Sequence, residues 1–105
     1  MREKLIEKYL RLEVEKLGGL CKKWNCEGWN GVPDRIVLFP YGKIYFIELK
    51  KTGARPRALQ EYRHQQLEKL GFTVLVLDST LSIDEFIESV TFFTCTKPKD
   101  KELSN

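Results

Sequence analysis

The run Ile44-Tyr45-Phe46-Ile47-Glu48-Leu49 constrains this chain most, because it is apolar on both faces of a strand. Successive strand side chains point to opposite sides. Ile44 and Phe46 therefore share one face, and Tyr45, Ile47 and Leu49 the other. Such a strand must be central and needs a covering layer on each side. At 105 residues the chain is one domain with room for one core. The fold class is therefore α/β, one mixed sheet flanked by helices.

Periodicity supplies the layers. Over residues 2–17, Leu5, Ile6, Tyr9, Leu10, Leu12, Val14 and Leu17 fall on one broad arc at the helical period. Gly18-Gly19 stops that helix. Leu20 to Trp24 is a short strand, and residues 25–33 form a loop broken by Gly28, Asn30, Gly31 and Pro33. Two strands follow, Asp34–Phe39 and Lys43–Lys50, around a turn at Pro40-Tyr41-Gly42. Residues 52–56 are a loop. A second helix runs from Arg57 to Leu70 and closes at Gly71. Phe72–Leu77 is a continuous β-type run, parallel to the centre of the sheet through a right-handed crossover. A last helix starts at Asp78 or Ser79 and continues to about Val90. The order is αβββαβα. The domain covers residues 1–92, and residues 93–105 read as a polar, flexible tail.

Composition narrows the function classes. Hydrophobic residues make up 42% and charged residues 31%, the balance of a soluble globular domain. The apolar runs fall far short of the roughly 20 residues of a membrane span. Met1-Arg2-Glu3-Lys4 leads straight into a helix, unlike a secretion signal. Cys21, Cys26 and Cys95, with His64, lack zinc-ligand spacing and suggest reduced thiols in a cytoplasmic protein. The net charge of +3 permits a nucleic-acid partner without requiring one.

The chemistry lies at the end of the hairpin. Pairing the two strands antiparallel around the three-residue turn sets Phe39 opposite Lys43, Val37 opposite Tyr45 and Asp34 opposite Glu48. Opposed carboxylates, with Cβ atoms roughly 5 Å apart, repel unless a proton or cation sits between them. Lys50 points to the same side as Glu48. Two acids and a lysine at the end of an apolar hairpin read as a divalent-metal site with a cation beside it. Hard oxygen ligands favour Mg²⁺ or Mn²⁺, and such a trio suits phosphodiester hydrolysis. The backbone carbonyl of Leu49 is a further candidate ligand.

Glu7 is a fourth candidate, at the edge of the first helix's apolar arc, with Glu3 and Glu13 as alternatives. Gln60, early in the second helix, can hydrogen-bond a metal-bound water or a phosphate oxygen. His64 reads as a packing or surface residue. Trp24 and Trp29 flank the loop before Asp34, Trp24 as core and Trp29 as a stacking surface for bases or a partner. Basic residues gather around the site in sequence: Lys22, Lys23, Arg35, Lys50, Lys51, Arg55 and Arg57. Beside a carboxylate pair they suggest phosphate binding.

Gly31-Val32-Pro33-Asp34, Glu48-Leu49-Lys50 and Gln60 together resemble the PD-(D/E)xK nuclease superfamily. With Gly18-Gly19, the Asp34-Arg35-Ile36 and Phe46-Ile47 flanks and Leu70-Gly71-Phe72, the pattern is similar to the virus-type replication-repair nuclease domain, VRR-NUC, from about Glu3 to Asp78. The resemblance implies a restriction-endonuclease-like αβββαβ fold and metal binding by Asp34 and Glu48. It implies a catalytic Lys50, a site glutamate on the first helix best matched by Glu7 with Glu3 in reserve, and Gln60 in the family's glutamine position. It also implies a phage-type homodimer that cuts branched DNA such as Holliday junctions, in the host cytoplasm if phage-encoded. The loop Glu27-Gly28-Trp29-Asn30 departs from the family pattern, which favours small or basic residues there. Two other readings fit the sequence: a catalytically silent DNA-binding module on the same fold, and a small protein-interaction domain using the Trp29 loop.

Overall fold

The structure, a computed structural model, describes residues 2–91; the expected tail falls outside them. Its elements are α1 (Glu3–Lys16), β1 (Leu20–Lys23), β2 (Arg35–Phe39), β3 (Lys43–Leu49), α2 (Ala58–Lys69) and β4 (Thr73–Leu77). A last helix, α3, occupies residues 80–91. The four strands form one sheet in the order β1-β2-β3-β4. β1 and β2, and β2 and β3, pair antiparallel; β3 and β4 pair parallel. The expected mixed α/β architecture is what the chain adopts.

The hairpin register follows from its turn. Tyr41 and Gly42 take positive φ values of 67° and 76°, which reverse the chain within three residues. Phe39 then pairs with Lys43, Val37 with Tyr45 and Arg35 with Ile47. One step further along the same register, Asp34 lies across from Glu48.

The central strand is covered on both sides, as its composition demands. On one face Ile47 and Leu49 join Val37, Phe39 and Leu77 against Ile6, Leu10 and Val14 of α1 and Ile83, Phe86 and Val90 of α3. On the other, Phe46 and Val74 pack with Leu67 of α2, and Trp24, Trp29 and Ile36 close the edge. The buried stripe of α1 is narrower than its sequence suggests. Leu5 and Leu12 are exposed, because α1 meets the sheet along the single line of Ile6, Leu10 and Val14. Gly19 lets the chain turn from α1 into β1 against the hairpin: a Cβ there would lie 2.7 Å from the Leu38 carbonyl oxygen. α3 starts with Ser79, whose Oγ accepts the Ser82 N–H at 3.1 Å. Among the described residues no helix is long and apolar enough to cross a membrane.

Candidate active site

The hairpin end opens into a cavity of about 500 Å³ bordered by Asp34, Glu48, Lys50, Gln60, Arg57 and Glu3. Four elements converge there. β2 begins just after Asp34, β3 delivers Glu48 and leads into Lys50, α2 brings Gln60, and the N-terminal turn of α1 brings Glu3. The cavity sits at the end of the parallel β3–β4 pair, where Lys50 N–H still donates to the Leu77 carbonyl at 3.1 Å.

Each carboxylate is held differently. Asp34 is half-buried, and its Oδ1 accepts the Leu49 N–H at 3.2 Å. Burial pushes its pKa up; the Leu49 bond pulls it back. Glu48 is 2% exposed. Its Oε2 accepts a hydrogen bond from Gln60 Nε2 at 2.9 Å and lies 3.5 Å from Lys50 Nζ. Burial, reinforced by the Asp34 charge, raises its pKa to about 7 despite Lys50.

Gln60 owes its direction to helix capping. Its Oε1 accepts the Arg57 N–H at 2.9 Å, the return bond of a capping arrangement. With the amide oxygen so engaged, its NH₂ faces Glu48. His64 follows one turn later on the same face of α2. The imidazole is 8% exposed, and its Nε2 stands 3.8 Å from Glu48 Oε1. Burial lowers its pKa, so it is neutral at pH 7. Neither Glu48 Oε1 nor His64 Nε2 has a hydrogen-bond partner among the described residues. The packing role read for His64 is thus only half its setting. The Gln60–His64 spacing of four residues shows only that the two share a helix face; that this face meets Glu48 comes from the structure.

The helix α1 acids separate clearly. Glu3 borders the cavity, and its charge raises the pKa of both Asp34 and Glu48. Glu7 is half-buried near Cys21, whose pKa its charge raises. Glu13 pairs with Lys16 at 2.8 Å. Of these acids Glu3 is among the residues lining the cavity, and Glu7 and Glu13 are not.

The basic residues divide as well. Arg57 lines the cavity, and Lys51 and Arg55 are exposed on the loop between β3 and α2 that passes it. Lys22 and Lys23 lie on the edge strand and alternate to opposite faces. Arg35 donates through Nη1 to the Asp34 carbonyl oxygen at 2.9 Å. Gly31 forms the cavity wall with φ +87°, and a Cβ there would meet Leu59 Cγ at 2.7 Å. Only glycine lets this loop rest on α2.

The donor set fits a hard divalent cation. Two carboxylates line the same cavity, one with an orphaned buried oxygen, and the backbone at Leu49 is tied to Asp34. Among the described residues no group of three or more His, Cys, Asp or Glu side chains is gathered to hold a metal. A cation here needs backbone, water or substrate oxygens to complete its shell, the usual arrangement for Mg²⁺.

No protein-family model matches the chain. A phage protein, "Putative nuclease p44" of Acyrthosiphon pisum secondary endosymbiont phage 1, is 48% identical over 79 residues, covering 75% of this chain and 85% of that protein. A solved structure described as a VRR_NUC domain matches with a TM-score of 0.78 at 37% identity, covering 82% of this chain and 94% of that one. Similarity in sequence and in fold thus extends over most of both relatives, and the chain belongs to the VRR_NUC nuclease family.

Proposed function

We propose that the chain is a divalent-metal-dependent, structure-selective DNA endonuclease that hydrolyses phosphodiester bonds in branched DNA as a cytoplasmic homodimer. One observation carries this reading: a basic-rimmed cavity in which the Asp34 and Glu48 carboxylates meet beside Lys50. The ion is Mg²⁺ or Mn²⁺, bound by Asp34, Glu48 and the Leu49 carbonyl. When bound, it polarises a phosphoryl oxygen and acidifies a coordinated water. The remaining work falls to side chains of the chain. Lys50 orients the attacking water and offsets the charge that grows on the phosphate. Gln60 fixes the Glu48 carboxylate, Glu3 adds an acid at the rim, and Arg57 with Lys51 and Arg55 holds the flanking phosphates. Lys22, Lys23 and Arg35 extend the positive surface.

Labelled four-way junction, flap, single-stranded and duplex DNA, incubated with wild type and Mg²⁺, should rank with the junction or flap fastest. Uniform cutting of all four would refute structure selectivity. Junction binding without cutting in either Mg²⁺ or Mn²⁺ would instead identify a silent DNA-binding module. Symmetric cuts in a junction require paired sites. Sedimentation should therefore give about twice 12.3 kDa, and a monomer at micromolar concentration would refute the dimer.

A further inference from the structure

Beside the catalytic cavity lies a second one, of about 380 Å³, lined by Trp29, Tyr62, Gln65, Gln66, Lys69 and Leu70. We propose that it is a stacking site for an unpaired nucleobase of the DNA strand being cut, with Tyr62 as the platform. The proposal rests on the nuclease reading and adds a source for its selectivity.

Three features support it. The first is a built stack. Arg63 places its guanidinium carbon 5.3 Å from the Trp29 ring centroid and 5.6 Å from that of Tyr62. The guanidinium is itself fixed, donating through Nε to the Asn30 carbonyl at 2.7 Å and through Nη1 to Gln66 Oε1 at 2.9 Å. Tyr62 is nonetheless 53% exposed, so much of its ring remains open to solvent. A base added there meets a surface whose orientation is already set, and stacking needs no particular base because each has a π-face.

The second feature is continuity with the catalytic cavity. Leu59 lines that cavity and Tyr62 the second, one turn later on α2. Gly31 lines the first and Trp29 the second, two residues apart on one loop. At 1.5 Å per helical residue, Leu59 to Gln66 spans roughly 10 Å, or about three nucleotides of a stacked strand. A strand seated in the catalytic cavity beside Leu59 therefore has the platform one helical turn away.

The third is the chemistry of the lining. Gln65 and Gln66 offer amides to a base edge, and Lys69 offers a charge to a phosphate. A paired base has both faces covered by its neighbours and its pairing edge engaged. Only an unpaired base, at a flap, fork or junction, can enter.

The test uses the full chain in EDTA, with a fork whose unpaired arm carries 2-aminopurine near the branch and a duplex of equal length. Wild type should quench the 2-aminopurine. Tyr62→Ala should abolish the quenching and weaken fork binding about 10-fold, with duplex binding changed less than twofold. Tyr62→Phe should behave as wild type. Tyr62 is exposed, so its loss should leave the circular dichroism spectrum intact. Equal weakening on both DNAs, or none on either, would overturn the proposal. So would a Tyr62→Ala protein that changed only in sedimentation, which would make this face a contact between copies. Wild type that binds neither DNA would overturn the nuclease reading itself, whereas Tyr62→Ala matching a binding-competent wild type overturns the stacking site alone.

Discussion

Asp34→Ala should reduce cleavage by about 10³-fold or more while leaving a folded protein. The carboxylate holds one side of the proposed cation, and the orphaned oxygen of Glu48 cannot hold it unaided. Without Asp34 the site would not hold the cation, and the phosphoryl polarisation and water acidification that it would supply, worth several kcal/mol, would be lost. The structural cost is small by comparison. The Leu49 N–H loses its acceptor, worth about 1 kcal/mol. Against that, removing Asp34 relieves the repulsion that raises the pKa of Glu48. Urea denaturation in EDTA should therefore give a stability within about 1 kcal/mol of wild type, beside nearly complete loss of cleavage. Retained cleavage in folded Asp34→Ala would rule out the site.

Glu48→Gln should separate activity from stability in opposite directions. Glu48 is buried, and its folded pKa of about 7 lies above the ordinary carboxylate value of 4.5. A raised folded pKa stabilises the protein below the unfolded value, and that contribution is lost as pH climbs through the folded one. Metal-free wild type should thus lose stability between about pH 4.5 and 7. Each pKa unit is worth about 1.4 kcal/mol; allowing for water in the open cavity, the loss is about 2 kcal/mol. Glutamine cannot ionise, so the variant should lack this component of the pH dependence, leaving only what Asp34 and His64 contribute, and should exceed wild type at pH 8 in EDTA. It should also fail to cleave. Mg²⁺ should restore wild-type stability at pH 8 and leave the variant unmoved, since ligand binding stabilises only the state that binds. A wild-type profile flat in EDTA, or Mg²⁺ stabilising both proteins equally, would contradict the burial argument.

The sequence exposes these two carboxylates because strand pairing is arithmetic once the turn is known. Pro40-Tyr41-Gly42 allows one register, and the alternation along β3 puts Glu48 and Lys50 on one side. The double-sided apolar strand likewise announces its two helical layers, and the run after α2 its parallel pairing. Helix placement is harder to read. Which α1 acid reaches the site depends on how far the helix overhangs the sheet, and that follows from the seating of Ile6, Leu10 and Val14. A helical wheel cannot distinguish Glu3 from Glu7 on this basis. Nor does it separate Leu5 and Leu12, which stay in water, from the residues that pack. His64 shows a further limit. Its spacing from Gln60 is visible in the chain, but the closeness of both to Glu48 requires the angle at which α2 crosses β3.

The most direct measurement is cleavage of one labelled branched DNA by wild type and Lys50→Ala, each with EDTA, Mg²⁺ and Mn²⁺. Cutting by wild type with either ion, none in EDTA, and at least a 10²-fold loss in Lys50→Ala are expected if Asp34, Glu48 and Lys50 form the hydrolytic centre. Cleavage that persists in EDTA, or a Lys50→Ala protein as active as wild type, would contradict it.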